Sequence, residues 1–253
     1  MWQNCIDIWL IQAGIQSIGV EVGMLDEGGD FMEREIDLFI TLARHGDVEQ
    51  VKKWLHSGVN PNARDVYGST ALIEAAKRGK TEILRVLLRY GADKEIRDGR
   101  GITALMGASY NAQIDAVALL LKAGALPNVQ DECGNTALHW VVGDDKQIIL
   151  EERRALDTAD ERWRQDIQSD WRLSVHSARS AEVVKLLLKS GADVHICNYK
   201  GETALDLLSA LENCPSYLTE EQILQWKESE RFLQEIRRML LREKALYRMG
   251  EQD

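Results

Sequence analysis

The fold is decided by a stretch of sequence that returns along the chain at a fixed interval. Residues 65–93 read DVYGSTALIEAAKRGKTEILRVLLRYGAD. The Asp, the Gly and the Thr-Ala-Leu triplet of this stretch recur at equal spacing, first from Asp98 and again from Asp131. A strict period of this length indicates a repeat solenoid, in which each unit packs only against its neighbours.

Each copy predicts two helices preceded by a tight turn. Thr70 can cap a helix that begins at Ala71, and Gly91 suits the left-handed backbone that ends a second helix. Residues 65–68 favour a turn, because Asp bonds to nearby backbone N–H groups and Gly adopts positive φ. The predicted unit is therefore a hairpin-like finger, a short helix, a turn and a longer helix.

A long interruption separates the fingers of the fourth and fifth predicted repeats, at Gly134 and Gly201. Gly201 and the Thr-Ala-Leu triplet at 203–205 lie two repeat intervals and one residue beyond their counterparts instead of one interval, and the excess precedes a second helix expected at 181–189. Residues 144–179 contain neither glycine nor proline, so they can build neither another finger nor a helix stop. We predict a helical insertion, whose apolar stripe is Leu156, Ala159, Trp163, Ile167 and Trp171. The stripe either packs back on the solenoid or supplies tryptophan anchors to a partner.

The N-terminal end of the array differs from its middle. Residues 34–62 keep Gly46 and Gly58 but lack the finger, which is typical of a capping repeat. Residues 1–31 are apolar, yet they lack the basic start of a secretory signal and are too polar for a good membrane span. We interpret this extension as an extra packing segment or a start codon placed too early. A partner-binding segment or a membrane-surface anchor is the alternative.

The C-terminal end predicts one long helix. Residues 213–253 contain the capping box Thr219-x-x-Gln222 and an apolar side that includes Trp226, Leu233 and Ile236. We expect this helix to cap the last repeat, and a partner helix or coiled coil is the alternative.

The repeated residues resemble the ankyrin repeat, whose pattern is Asp-x-x-Gly-x-Thr-Pro-Leu-His, then Ala-Ala, Gly, and Leu-Leu before Gly-Ala-Asp. Residues 65–95 match best, and the pattern extends over residues 34–210. Alanine replaces the usual proline in four copies, and only His139 keeps the histidine that hydrogen-bonds between neighbouring loops in the family. The resemblance implies an all-α solenoid with hairpin-like fingers and about five repeats. The expected domain is 32–212, with repeats at about 34–62, 63–95, 96–128, 129–195 (insertion included) and 196–212.

Composition and motif spacing exclude several functions. The net charge of −10 argues against a general affinity for nucleic acid or anionic membranes. The four cysteines are scattered, which favours a reducing compartment without disulfides; we expect an intracellular, cytoplasmic protein, with the nucleus also possible. The five histidines lack metal-ligand spacing, and no phosphate loop or catalytic motif is present. We therefore predict no metal, no cofactor and no enzyme activity, and a monomer.

Function follows from the resemblance. Ankyrin-repeat proteins typically bind other proteins with their finger tips and first helices, which line a concave surface. Here those positions are rich in basic and aromatic residues, which favours an acidic, partly extended protein segment as partner. Solvated residues without a partner are the alternative. The expected partner-binding residues are Arg44, His45, Val66, Tyr67, Ser69, Lys77, Arg78, Arg100, Ile102, Tyr110, Asn111, Cys133, Trp163, Trp171 and Tyr199.

A second function is consistent with the same sequence. The chain would then be a regulatory or accessory subunit that acts through the insertion 144–179 and the C-terminal helix. The repeats would serve only as its scaffold.

Overall fold

The computed structural model describes residues 31–143, 172–209 and 220–250. The predictions made for residues 1–30 and for the apolar stripe of the insertion lie outside these ranges and stay predictions. The helices are α1 (Phe31–His45), α2 (Val48–His56), α3 (Ala71–Lys77), α4 (Thr81–Arg89), α5 (Ala104–Tyr110), α6 (Ile114–Lys122), α7 (Arg172–Lys189), α8 (Ala204–Ser209) and α9 (Glu220–Gly250). Residues 137–143 are also helical and belong to the first helix of the fourth repeat.

The helices stack in two rows, which confirms the predicted all-α solenoid. The first helices α1, α3 and α5 pack side by side, and the second helices α4, α6 and α7 form a parallel row beside them. The leucines of the first three Thr-Ala-Leu triplets belong to the buried core. Leu72, Leu105 and Leu138 are all about 1% exposed, so each repeat buries its apolar face only by contact with its neighbours.

The fingers are held by the aspartates that the sequence singled out. Asp98 Oδ1 accepts hydrogen bonds from the backbone N–H groups of Arg100 (2.9 Å) and Ile102 (3.0 Å), which closes the turn. Thr103 Oγ1 accepts the backbone N–H of Met106 at 3.3 Å and caps α5 as expected. Hairpin character is limited to isolated bridges, Arg64 with Thr70 and Cys197 with Thr203, in the described residues.

Consecutive fingers are joined by backbone hydrogen bonds. The N–H of Gly99 donates to Tyr67 O at 2.8 Å, and the N–H of Glu132 donates to Arg100 O at 3.2 Å. These bonds run from each finger to the one before it. The fingers therefore form a ladder along one edge of the array.

The insertion does not break this ladder. The N–H of Tyr199 donates to Cys133 O at 3.0 Å, although the two residues are separated by the whole insertion. Asn128 donates to Gly191 O at 3.0 Å and accepts the N–H of Asp193 at 2.8 Å. Asn62 makes the same pair of bonds with the turn at Gly91 and Asp93 earlier in the array. The fifth repeat therefore stacks directly on the fourth.

The second helix of the fourth repeat begins earlier than predicted. We expected it at 181–189, but α7 starts at Arg172, so residues 172–179 of the insertion belong to this helix. In the second repeat the corresponding helix follows a turn at Gly79, whose φ is 63°. Residues 172–180 contain no such stop, and the helix therefore continues through them.

The C-terminal helix is part of the array. The sequence predicted one long helix within residues 213–253 with its capping box at Thr219, and α9 spans Glu220–Gly250. It packs against α7 and α8 through Leu233, Ile236 and Leu240, all buried. The ring centroids of Tyr247 and His195 lie 4.5 Å apart, so the C-terminal part of α9 lies against the segment that follows α7. α9 therefore covers the C-terminal end of the array, and the division of residues 196–253 into a fifth repeat and a capping helix stays a prediction.

A buried residue of α9 tests its structural role. Ile236→Ala should lower the free energy of unfolding by about 3 kcal/mol, because a fully buried isoleucine leaves a cavity. Leu241→Ala is the control, since this side chain on the same helix is 46% exposed and should change stability by less than about 0.5 kcal/mol. Urea unfolding measures both. Equal effects would contradict the packing of α9.

Two glycines test the finger ladder. Gly134 and Gly201 have nearly the same positive φ, 80° and 77°, so alanine strains both by about 1 kcal/mol. A Cβ on Gly134 would lie 2.8 Å from the backbone N of Tyr199, whereas nothing lies within 4 Å of a Cβ on Gly201. Gly134→Ala should therefore destabilise the protein by at least about 1 kcal/mol more than Gly201→Ala. Equal midpoints in urea unfolding would show that the fourth and fifth fingers are not in contact.

Candidate functional site

The fingers and the first helices form one continuous surface, which we call the inner face. Its rim is apolar and aromatic. Tyr67 is 78% exposed at the tip of the second repeat's finger, and Tyr199 is 75% exposed at the tip of the fifth. Val66 is exposed beside Tyr67. Large apolar side chains at turn tips contribute nothing to the core, and they are of the kind that anchors interfaces.

An aromatic pair lies on the first helices of the inner face. The rings of Tyr110 and Trp140 meet edge to face, with centroids 5.4 Å apart and an interplanar angle of 83°. The indole Nε1 of Trp140 donates to Asp131 Oδ2 at 2.9 Å, which fixes the ring. Tyr110 is 37% exposed, and the pair therefore presents a rigid aromatic surface.

Trp140 was absent from the predicted partner-binding residues. The signal that could have found it is its register, because it occupies the position of Glu74 in the second repeat and Gly107 in the third. This position lies one helical turn before Lys77 and Tyr110, which were predicted to face a partner. We add Trp140 to the inner face.

Charges in the middle of the inner face are already paired. Glu74 accepts Arg44 Nε at 3.0 Å and Lys77 Nζ at 3.0 Å, and it also accepts the hydroxyl of Ser69 at 3.0 Å. Lys77 Nζ lies 3.6 Å from Asp98 Oδ2 as well. Burial raises the pKa of Glu74. The hydrogen bond and charge of Lys77, together with Ser69 and Arg44, lower it by a larger amount, so the net shift of this pKa is downward. The expected basic character is therefore largely cancelled at this point.

Two predicted residues are not on the surface. Ser69 and Ile102 are each about 4% exposed. Both follow the finger glycine, where the chain has left the tip and returns toward the helix. The Ser69 hydroxyl is bonded to Glu74, and the Ile102 side chain belongs to the core. We remove these two residues from the proposed contact surface.

The other predicted residues divide by location. Arg78, Arg100 and Cys133 are exposed, and His45 is exposed with its Nδ1 3.2 Å from Thr41 O. Asn111 is half-buried, because its side chain donates to Gly107 O at 3.0 Å. Trp163 and Trp171 lie outside the described residues. The inner face therefore comprises Arg44, His45, Val66, Tyr67, Lys77, Arg78, Arg100, Tyr110, Asn111, Cys133, Trp140 and Tyr199.

His139 has the structural role that its position implied. Its Nδ1 accepts the backbone N–H of Thr136 at 3.2 Å, so the neutral ring carries its proton on Nε2, which donates to Glu202 O at 3.1 Å. Burial lowers the pKa of His139, and this effect exceeds the opposing ones of the Glu202 carbonyl and nearby carboxylates. The histidine thus links the fourth finger to the fifth.

Comparison with known protein families agrees with the stacking. A model of three consecutive ankyrin repeats matches residues 39–131, and a model of one ankyrin repeat matches residues 173–199. A search of curated proteins found no match. The chain is an ankyrin-repeat protein. Ankyrin repeats are generally protein–protein interaction modules and are typically non-enzymatic scaffolds.

Other kinds of site were searched for in the parts of the chain that the structure describes. There, no three His, Cys, Asp or Glu side chains come together as a metal site requires. Cys133 and Cys197 are free thiols. None of the helices searched combines the length and apolar character needed to cross a membrane.

The protonation of His139 predicts a pH dependence of stability. Its folded-state pKa is below the unfolded value of about 6.5, so the unfolded chain binds the proton first. The contribution of His139 to stability should be fully present above about pH 6.5 and be lost as the pH falls below this value. His139→Met should flatten this slope, because Met106 occupies the same position in the third repeat with its sulfur 3.5 Å from Thr103 N.

Urea midpoints at pH 7.5, 6.5 and 5.5 measure this slope. The carboxylates of Glu74 and Asp206, whose pKa values are lowered from their ordinary values of 4.5 and 3.8, titrate below this window and do not interfere. An equal slope in the wild type and in His139→Met would contradict the role given to His139.

Proposed function

We propose that the protein is an adaptor, inhibitor or targeting module that holds a segment of another protein on its inner face. The observation that carries this proposal is the aromatic content of that face. Tyr67 and Tyr199 stand exposed on the fingers, and the Tyr110–Trp140 pair lies on the first helices. Tyrosine and tryptophan are the residues that dominate interface energetics, because they bury a large area at low entropic cost.

Charge adds a preference for an acidic segment. Arg44 and Lys77 are paired with Glu74, so they offer little net charge to a partner. Arg78 and Arg100 are exposed, and neither forms an ion pair within the described residues. These two arginines, one at a helix end and one on a finger, would therefore contact the acidic residues of a partner. The Tyr110–Trp140 pair between the repeats would anchor the partner.

A second candidate function places the binding site on the insertion. The observation in its favour is the length of α7, which begins at Arg172 instead of at the helix start expected from the repeat, Ala181. A helical branch that begins on a rigid array can present side chains at a fixed distance from it. In this case the partner contacts the insertion, and the repeats only position it.

Site-specific photo-crosslinking distinguishes these candidates. A photoreactive phenylalanine analogue would replace Tyr67, Tyr199, Trp163 or Tyr90 in the full chain, one at a time. Tyr90 is the matched control, because this exposed tyrosine ends α4 in the outer row and bonds to His56. We expect one partner to crosslink from positions 67 and 199 and not from position 90, and Tyr110→Ala to weaken its binding about tenfold or more.

The opposite outcomes are equally informative. A partner that crosslinks from position 163 alone would support the insertion as the binding site. Crosslinks that appear only from position 90, or equally from all four positions, would contradict both candidates. The cytoplasmic location and the monomeric state stay predictions. Both can be determined in the cells in which the crosslinking is done.

A further inference from the structure

A concave basic site lies within one end of the inner face, at the turns that join the helices of the first two repeats. The cavity has a volume of about 370 Å³ and is lined by Arg44, His45, Arg78 and Lys80. Among the described residues, no carboxylate belongs to its lining. The chain as a whole carries a net charge of −10, so two arginines and a lysine in one cavity are a local reversal of its charge.

The geometry holds these groups in place. Arg44 donates through Nε to Glu74, which fixes the guanidinium by one edge. The stem of Lys80 lies across Gly46, since a Cβ there would be 3.0 Å from its Cδ. Within the described residues, Arg78 and Lys80 form no ion pair with a carboxylate. Arg78 and Lys80 thus have no ion-pair partner among these residues, and the hydrogen bond to Glu74 fixes the orientation of Arg44.

The fold does not require these charges. The third repeat builds the same turn with Asn111 and Gln113 in place of Arg78 and Lys80. Backbone angles agree closely: Lys80 has φ −78° and ψ 70°, and Gln113 has φ −84° and ψ 78°. Neither residue makes a side-chain cap hydrogen bond to its helix. Formation of the turn therefore does not explain why the second repeat has basic residues at positions 78 and 80.

We propose that this cavity, here called the basic pocket, binds a phosphate group carried by a phosphorylated side chain of the partner segment. A phosphate monoester has close to two negative charges and three acceptor oxygens, which suit the two unpaired cations Arg78 and Lys80 and the remaining N–H donors of Arg44. A single carboxylate would leave part of this donor set unused. The inference deepens the proposed function and rests on it, because the basic pocket is part of the inner face that holds the segment.

Titration with inorganic phosphate tests the basic pocket without a partner. Backbone amide shifts of the full chain would be followed by NMR as phosphate is added at low ionic strength. We expect saturable shifts at residues 44–47 and 78–82. The double variant Arg78→Asn, Lys80→Gln carries the residues of the third repeat, so it should fold normally and bind phosphate at least tenfold more weakly.

A charge-matched control separates the pocket from the net charge. Arg89→Gln, Lys122→Gln also removes two positive charges, from exposed residues in the last turns of α4 and α6. This control should bind phosphate like the wild type. Shifts that do not saturate by about 20 mM phosphate, or that fall equally in both variants, would overturn the pocket. If the basic pocket were overturned but the crosslinks from positions 67 and 199 persisted, the proposed function would stand without phosphate binding.

The source of the phosphate is tested with two further probes. A Gly-Ser peptide with one central phosphoserine should shift the same amides, and its unphosphorylated form should not. Vesicles that contain phosphatidic acid should not sediment the protein. Binding to the vesicles through Arg78 and Lys80, or a response to inorganic phosphate without one to the phosphopeptide, would overturn recognition of a phosphorylated protein segment.

Discussion

The structure depends on the stacking of each repeat against the one before it. No repeat can bury its apolar face alone, so the leucines of the Thr-Ala-Leu triplets and the finger hydrogen bonds must recur without a gap. The bond from the N–H of Tyr199 to Cys133 O shows that this condition is met across the insertion. The long excursion of the chain between the helices of the fourth repeat leaves its contact with the fifth unchanged. Closing such a loop costs little, because the entropy of closure grows only with the logarithm of its length.

The same constraint organises the inner face. Because the fingers stay in register, exposed residues such as Tyr67 and Tyr199 stand on one edge of the array, and Tyr110 reaches Trp140 in the next repeat. The turn between helices is free to vary, since its backbone is set by a left-handed residue and not by its flanking side chains. Binding specificity can therefore change at the tips and turns without loss of the fold, and the basic pocket at Arg78 and Lys80 is an example.

Much of the fold could be predicted from the sequence, because its signals act within one repeat or between neighbours. Asp98 and Thr103 bond to backbone only two to four residues away, so their roles follow from spacing. The early start of α7 could not be predicted in this way. The same holds for the contact of α9 with α7, because the two helices are separated in the sequence by the last finger and by α8.

The candidate site was harder still. Position within the repeat identified Tyr67 and Tyr110, but it could not show that Lys77 is paired with Glu74 and Asp98, or that the chain turns inward at Ser69. Side-chain pairing and burial between repeats are tertiary facts that a repeat pattern does not contain.

The most direct test of the central claim is hydrogen exchange at the Tyr199 amide after the insertion is removed. Replacing residues 144–180 by the Arg-Gly-Lys turn of residues 78–80 restores the spacing between the two helices that the second repeat has. If the array is continuous, the Tyr199 amide stays protected, and the free energy of unfolding is unchanged or higher by up to about 2 kcal/mol. Rapid exchange at Tyr199, with loss of the helical signal of α8 and α9, would show that the insertion holds the last repeat in place.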